Sequence, residues 1–243
     1  MNWTFINTGT NTGIYNMNYD LQLVENCKLN EAYFRIYRWK PYCISLGYTQ
    51  NILDVNQEKA TSENIDIVRR PTGGRAILHA EEITYSVVLP LNSKYTARFV
   101  YAKISEALIK GLVKYNPIFI DAELENTQPN FAKLHKQPDG MVCFASTAKS
   151  EVKYKGKKLI GSAQRKMGNY LLQHGSILCG TYHRNLIEYL NSISEYDYKL
   201  IKNEFYTKTI EIETVTGIKV DYDFLTKSLV KGFEEEWGIE FNK

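Results

Sequence analysis

The chain has 243 residues, enough to bury a substantial core in one large domain or two small ones. Apolar residues make up 44%, which argues against disorder, and the net charge of +3, with both signs interspersed, argues against a nucleic-acid binder. The start, MNWTFINTGT, has neither a basic stretch nor an apolar run, and no window approaches 18 uninterrupted apolar residues, so neither a signal peptide nor a membrane span is expected.

Residues 13–27, GIYNMNYDLQLVENC, place Ile14, Met17, Leu21 and Val24 at steps of three and four, which predicts an amphipathic helix with Cys27 continuing its apolar face. RIYRWKP and CISLGYTQN read as two short strands around Lys40 and Pro41, and IDIV (65–68) as a strand running into RRPTGGRAILH (69–79). Gly73 and Gly74 permit positive φ and let a ligand lie against bare backbone, with Arg69, Arg70 and Arg75 around them. The residues alone leave two readings of this stretch: a binding loop, or a glycine bulge with surface arginines. His79 stays open in the same way, between a structural histidine and a site residue.

AILH, a turn at AEE and ITYSVVLP read as a hairpin. Residues 96–113 carry Val100, Ile104, Ala107, Leu108, Gly111 and Leu112, a second helix. The polar stretch from Ile120 to Gly140 reads as loop. EVKYKGKKLIGSAQRKMGNYLLQHGSILCG then reads as three strands, with turns at Lys155-Gly156 and Gly168-Asn169. From Tyr182 the chain turns mostly helical. The last helix starts from Asp221 or Asp223 as N-cap and carries the stripe Leu225, Leu229, Phe233, Trp237. With no repeat or linker in the way, residues 1–243 are expected to form a single α+β domain, a mainly antiparallel mixed sheet flanked by helices.

Cys27, Cys43, Cys143 and Cys179 lie far apart and form no CxxC pair, so no metal site is expected. Without a secretory signal they are expected to be reduced thiols in the cytoplasm. Cys143 sits among small residues, CFASTA, after a Pro138-Asp139-Gly140 turn. Lys157 and Lys158 enter a strand that ends at Gly161, Ser162 and Ala163. By residue type alone, Cys143 reads as a small buried hydrophobe and Lys158 as a solvated cation. His135 precedes Cys143, but sequence proximity does not make a Cys–His pair.

Taken together and in order, RRPTGGRAILH, ITYSVV, CFAS, GKKLIGSAQRK and QHGSIL resemble the biotin/lipoate protein ligase and octanoyltransferase superfamily, most closely its LipM-type octanoyltransferase branch. The likeness runs from the IYNMNYD helix to the C-terminal helix. It implies an octanoyltransferase of lipoic acid biosynthesis, an acyltransferase that needs no cofactor. Arg69, Arg70, Gly73, Gly74 and Arg75 match the acyl-binding loop, and His79 the histidine that closes it. Gly161, Ser162, Ala163 and His174 match strands lining the same pocket. Cys143 matches the acyl-accepting cysteine and Lys158 the lysine before Gly-Ser-Ala. The implied partners are octanoyl-acyl carrier protein as donor, and a lipoyl domain of a 2-oxoacid dehydrogenase or the glycine cleavage H protein as acceptor.

Such a transfer suits a cysteine, because two displacements through an enzyme thioester split one difficult step. An ordinary thiol is only about 3% ionised at pH 7, so a nearby cation is expected, and Lys158 is the candidate. Lys158 would stabilise the thiolate and polarise the acyl oxygen, or take a proton from the incoming amine. Burying the eight-carbon chain contributes on the order of 5–6 kcal/mol before ordering costs, which calls for an apolar tunnel. Its expected walls are Ile77, Leu78, Tyr85, Val87, Ile160 and Leu172. Three alternatives stand beside this reading. One is a lipoate–protein ligase using ATP and magnesium, although Cys143 departs from the ligase pattern. The others are an amidotransferase between lipoyl-bearing proteins and a non-catalytic acyl-sequestering protein.

Overall fold

The architecture was examined in a computed structural model, which describes residues 1–125, 151–191 and 193–241. Period-two alternation in the central strands sorts their side chains onto two unlike faces, and the fold follows from what covers each. The described strands are β1 (Asn2–Asn11), β2 (Glu31–Trp39), β3 (Cys43–Leu46), β4 (Asp66–Arg69), β5 (Ile77–His79), β6 (Glu82–Pro90), β7 (Ala122–Leu124), β8 (Val152–Tyr154), β9 (Lys157–Met167) and β10 (Tyr170–Leu178). The helices are α1 (Gly13–Asn26), α2 (Gln57–Ser62), α3 (Ala97–Tyr115), α4 (Glu195–Lys208), α5 (Ile212–Thr216) and α6 (Tyr222–Trp237), with 3-10 turns at Ile52–Asp54, Pro117–Asp121 and Tyr182–Tyr189.

Seven strands form one sheet in the order β1-β2-β6-β10-β9-β8-β7, and β4-β3-β5 form a second, smaller sheet. Only β1 with β2 and β3 with β4 pair in parallel; the other described pairs are antiparallel. The result is a mixed, mainly antiparallel α+β domain, as the sequence patterns predict.

One face of the large sheet is apolar. Phe34, Ile36, Ile83, Tyr85, Val87, Leu89 and Leu171 pack against Val100, Ile104, Leu108 and Leu112 of α3 and Leu225, Leu229 and Phe233 of α6. Phe34 stacks on Phe233 with ring centroids 4.3 Å apart. Both helices start where a side chain caps the free amides: Thr96 accepts from the Phe99 N–H and Asp221 from the Phe224 N–H. The predicted α6 stripe is the buried one, with Trp237 only partly covered.

The opposite face is polar yet equally buried. The intervening residues Arg35, Glu82, Thr84, Ser86, His174 and Ser176 lie here, under α1 and the small sheet. This corrects two expectations. AILH and ITYSVVLP are not a hairpin, because β5 pairs with β3 in the small sheet while β6 pairs with β2 and β10. The inward side of α1 carries Asn16, Met17, Asp20 and Val24, and Ile14 is exposed. A polar sheet face selects polar partners from the helix, which an apolar count does not register. Within the stretch expected to be loop, Ala122–Leu124 forms the edge strand β7.

Candidate active site

The polar face, α1 and the small sheet border a cleft. Met17 of α1, Trp39 of β2, Ser45 of β3 and His174 of β10 line it, together with Arg70, Ile77, His79 and the run Gly161, Ser162, Ala163 of β9. Six of the residues expected at the substrate site thus meet around one space: Arg70, His79, Gly161, Ser162, Ala163 and His174.

The glycine loop is held from within by Arg70, which is buried. Its guanidinium donates to the Ser45 carbonyl at 2.9 Å and hydroxyl at 3.1 Å, to the Gly73 carbonyl at 3.0 Å and to the Arg75 carbonyl at 2.7 Å. A planar fork of donors suits a loop whose carbonyls converge. Arg69 points elsewhere and donates to the carbonyls of Gly47, Tyr48 and Gln50, fixing the turn after β3. Gly74 has a φ of 99°, whereas Gly73 does not occupy the left-handed region. A Cβ on Gly47 would come within 1.9 Å of the Gly74 carbonyl oxygen, so the two backbones touch. Arg75 contributes through that carbonyl and does not line the cleft.

Two buried histidines flank the cleft, each tied to a carboxylate. His174 Nε2 lies 2.6 Å from the Thr72 hydroxyl and its Nδ1 3.4 Å from Asp20. Burial pushes the His174 pKa down, only partly offset by Asp20. Asp20 in turn pairs with Arg35 at 2.7 Å, both fully enclosed. Burial alone would raise the Asp20 pKa, but the His174 hydrogen bond and the Arg35 charge hold it below the ordinary value. His79 stacks on Trp39 at 4.1 Å between ring centroids, with Nε2 2.7 Å from the Ser45 hydroxyl and Nδ1 2.8 Å from Glu82. Burial likewise works to raise the Glu82 pKa and loses to His79, Thr84 and Ser176, so this carboxylate also titrates low.

Lys158 is buried, as is its partner Glu151, whose Oε2 lies 3.1 Å from the ammonium. The other Glu151 oxygen accepts from the Ser162 N–H at 3.2 Å. Lys158 therefore approaches the cleft through Glu151 and Ser162 and does not itself line it. Its backbone is pinned as well, since Lys158 bridges Thr209 and its carbonyl accepts from the Ile210 N–H at 3.0 Å. Among the expected tunnel walls, Ile77 alone lines the cleft. Tyr85, Val87 and Ile160 face the apolar core, Leu78 packs under the small sheet, and Leu172 sits against Val24 and Cys27.

Cys143 and His135 lie outside the described residues. The other three cysteines are buried free thiols. Burial, then the Glu31 charge, lifts the Cys27 thiol to about 11, and burial also drives Cys43 and Cys179 well above the ordinary range. His183 is buried at 2.8 Å from Glu211, away from the cleft.

Sequence reasoning missed Asp20, Arg35, Ser45, Glu82 and Glu151. A usable signal was present for some of them. In ITYSVV, Thr84 and Ser86 alternate with apolar neighbours although the strand is central, and Arg35 interrupts the aromatic run AYFRIYRW. Polar residues on one phase of a buried strand mark a second, polar interior.

The profile of the family described as the lipoyl protein ligase A/B catalytic domain matches residues 12–234. Among curated proteins, "Octanoyltransferase LipM" of Clostridioides difficile (strain 630) is 35% identical, covering 98% of this chain and 88% of its own length. The proteins of the same name from Staphylococcus aureus and Bacillus subtilis are each 32% identical, over 98% and 96% of this chain and 88% and 85% of their own lengths. Among solved structures, a bi-partite lipoate protein ligase from Thermoplasma acidophilum superposes with a TM-score of 0.79 at 19% identity, covering all of this chain and 86% of that one. Lipoate-protein ligase A bound with ATP gives a TM-score of 0.77, also at 19% identity, covering all of this chain and 88% of that one. The fold, the cleft and the profile match agree, and this chain belongs to the lipoyl protein ligase A/B catalytic domain family.

Proposed function

We propose that the protein is an octanoyltransferase of lipoate biosynthesis, moving an octanoyl group from octanoyl-acyl carrier protein to a lysine of a lipoyl domain or of the glycine cleavage H protein. The observation that carries this reading is the set of relatives at 32–35% identity, matched over 96–98% of the chain, that bear the name Octanoyltransferase LipM. A thioester donor is already activated, so the transfer runs without ATP, metal or other cofactor. The acyl group occupies the cleft, with its carbonyl end toward the Arg70-wrapped loop. The free thiols and the lack of any membrane-crossing helix among the described residues support a cytoplasmic enzyme.

Cys143 is the nucleophile in this proposal. What supports it is elimination together with the motif match: Cys27, Cys43 and Cys179 are buried with raised pKa values, and the thiolate is the reactive form. The Cys143 sulfur displaces the carrier thiol and holds the octanoyl group as a thioester. The acceptor amine then displaces Cys143. Lys158, held behind the cleft wall by Glu151, serves as a fixed positive charge that stabilises the negative charge developing at the acyl oxygen. The carboxylate of Glu151 at 3.1 Å supports that role over the base role, because it compensates the ammonium in a buried place.

Intact-mass spectrometry after incubation with octanoyl-acyl carrier protein tests the proposal. A gain of one octanoyl group without ATP, absent in Cys143→Ala and discharged by an apo-lipoyl domain, is the expected result. An adenylate formed only with ATP and magnesium would make the protein a ligase instead. A charge taken only from an octanoylated lipoyl-bearing protein would make it an amidotransferase, and tight acyl binding with no adduct a sequestering protein.

A further inference from the structure

Ser45 and His79 on the cleft wall, with Glu82 behind them, form an arrangement that the proposed transfer leaves unused. The Ser45 hydroxyl lies 2.7 Å from His79 Nε2, and His79 Nδ1 lies 2.8 Å from Glu82 Oε1. An ionised Glu82 places the ring proton on Nδ1, which leaves Nε2 free to accept from Ser45. Thr84 and Ser176 both donate to the same Glu82 oxygen, so the carboxylate is oriented from two further directions. Trp39 stacks on the imidazole and fixes its plane. Arg70 Nη1 donates to Ser45 Oγ at 3.1 Å, which helps orient the hydroxyl. Ser45 and His79 both line the cleft, with the small residues Gly161 and Ala163 among its other walls.

Nucleophile to base and base to carboxylate are the relations by which a hydrolytic triad is recognised, independent of fold. We propose that Ser45, His79 and Glu82 form a second nucleophilic centre, which hydrolyses medium-chain acyl esters and thioesters without Cys143. Only the choice of an eight-carbon chain rests on the octanoyl reading. Ser45 Oγ bonds to the acyl carbon as its proton passes to His79 Nε2. The carbon–sulfur or carbon–oxygen bond to the leaving group breaks, and the departing thiolate or alkoxide takes that proton. Water then gives a proton to Nε2 and attacks the Ser45 ester. The bond to Oγ breaks, Oγ recovers the proton, and the free fatty acid leaves. Nothing is oxidised or reduced.

The test uses full-length Cys143→Ala protein, in which the proposed transfer is disabled, with 4-nitrophenyl octanoate and octanoyl-coenzyme A as probes. Expected is steady release of nitrophenol and free thiol, falling at least about 100-fold when Ser45→Ala is added. A fluorophosphonate added to Cys143→Ala should leave an adduct that peptide mapping places on Ser45, and Glu82→Gln should suppress it. No release from Cys143→Ala above the double variant, or an adduct elsewhere or absent, overturns the proposal. The labelling decides on its own if the double variant does not fold. Octanoylation of a lipoyl domain by the unaltered protein is read separately, so loss of the triad and loss of the transfer reading are distinguishable outcomes.

Discussion

Lys158 and Glu151 are both almost wholly withdrawn from water, and each is costly there without the other. Lys158→Met strands the carboxylate, so a stability loss of about 3–5 kcal/mol is expected together with loss of transfer. Adding Glu151→Gln should return most of that stability in urea denaturation and none of the activity, which separates the chemical role from the structural one. The glycine loop calls for a similar contrast. Gly74→Ala must hold a side chain at a φ of 99°, and Gly47→Ala drives a methyl into the Gly74 carbonyl, so both should displace the loop and raise the KM for the acyl donor. Gly73→Ala meets nothing within 4 Å and should keep its KM within about twofold, as an uncrowded surface change does.

Helices α3 and α6 approach most closely where glycines face each other. A Cβ on Gly232 would lie 2.2 Å from the Gly111 amide nitrogen and 2.6 Å from the Ala107 carbonyl oxygen. Gly232→Ala gains roughly 1 kcal/mol of helix propensity, yet it must push the helices apart and strain the Phe34–Phe233 stack. A net loss of about 1–3 kcal/mol is expected, read as a lower Tm in a thermal melt. The patterns that gave α3 and α6 were legible because apolar burial repeats at helical spacing. Gly111 looked like one more small core residue, and its backbone contact belongs to a partner more than 100 positions away. The site was legible to the same limited degree. Of RRPTGG only Arg70 reaches the cleft wall, whereas all of GSA, Gly161 to Ala163, lines it. Asp20, Arg35 and Glu82 stayed hidden, because on their own strand or helix they look like solvated charges, and only pairing across elements buries them. The supposed hairpin at 76–90 failed for a related reason: a turn signal reports that the chain reverses, not that the two strands share a sheet.

At the scale of the whole molecule, a sheet with one oily and one polar buried face ties stability to pH. The His174 pKa is depressed in the fold, first by burial, so as pH falls through the ordinary 6.5 the unfolded chain binds the proton first and stability declines. Asp20, Glu82 and Glu211 have lowered pKa values despite burial, because their histidine, arginine and hydroxyl partners outweigh it. Their contribution is complete above the ordinary carboxylate values of 3.8 to 4.5 and is lost as pH falls through the folded ones. Chemical denaturation across pH 3 to 8 should therefore show a plateau, a shallow decline starting in the histidine range and a steeper one in the carboxylate range. His174→Asn should flatten the shallow limb and, by removing the hydrogen bond that helps hold Asp20 low, soften the carboxylate limb as well. The polar face carries a further consequence at the sheet's far edge. The Glu125 N–H donates to the Glu151 carbonyl at 2.8 Å, and β7 lies antiparallel to β8 with Leu124 opposite Val152. Residues 125 and 151 are thus clasped to each other through their main chains, so the outermost strand β7 is fastened to the frame on the same terms as its neighbour β8, and trimming Ala122–Leu124 would unbutton that margin of the sheet.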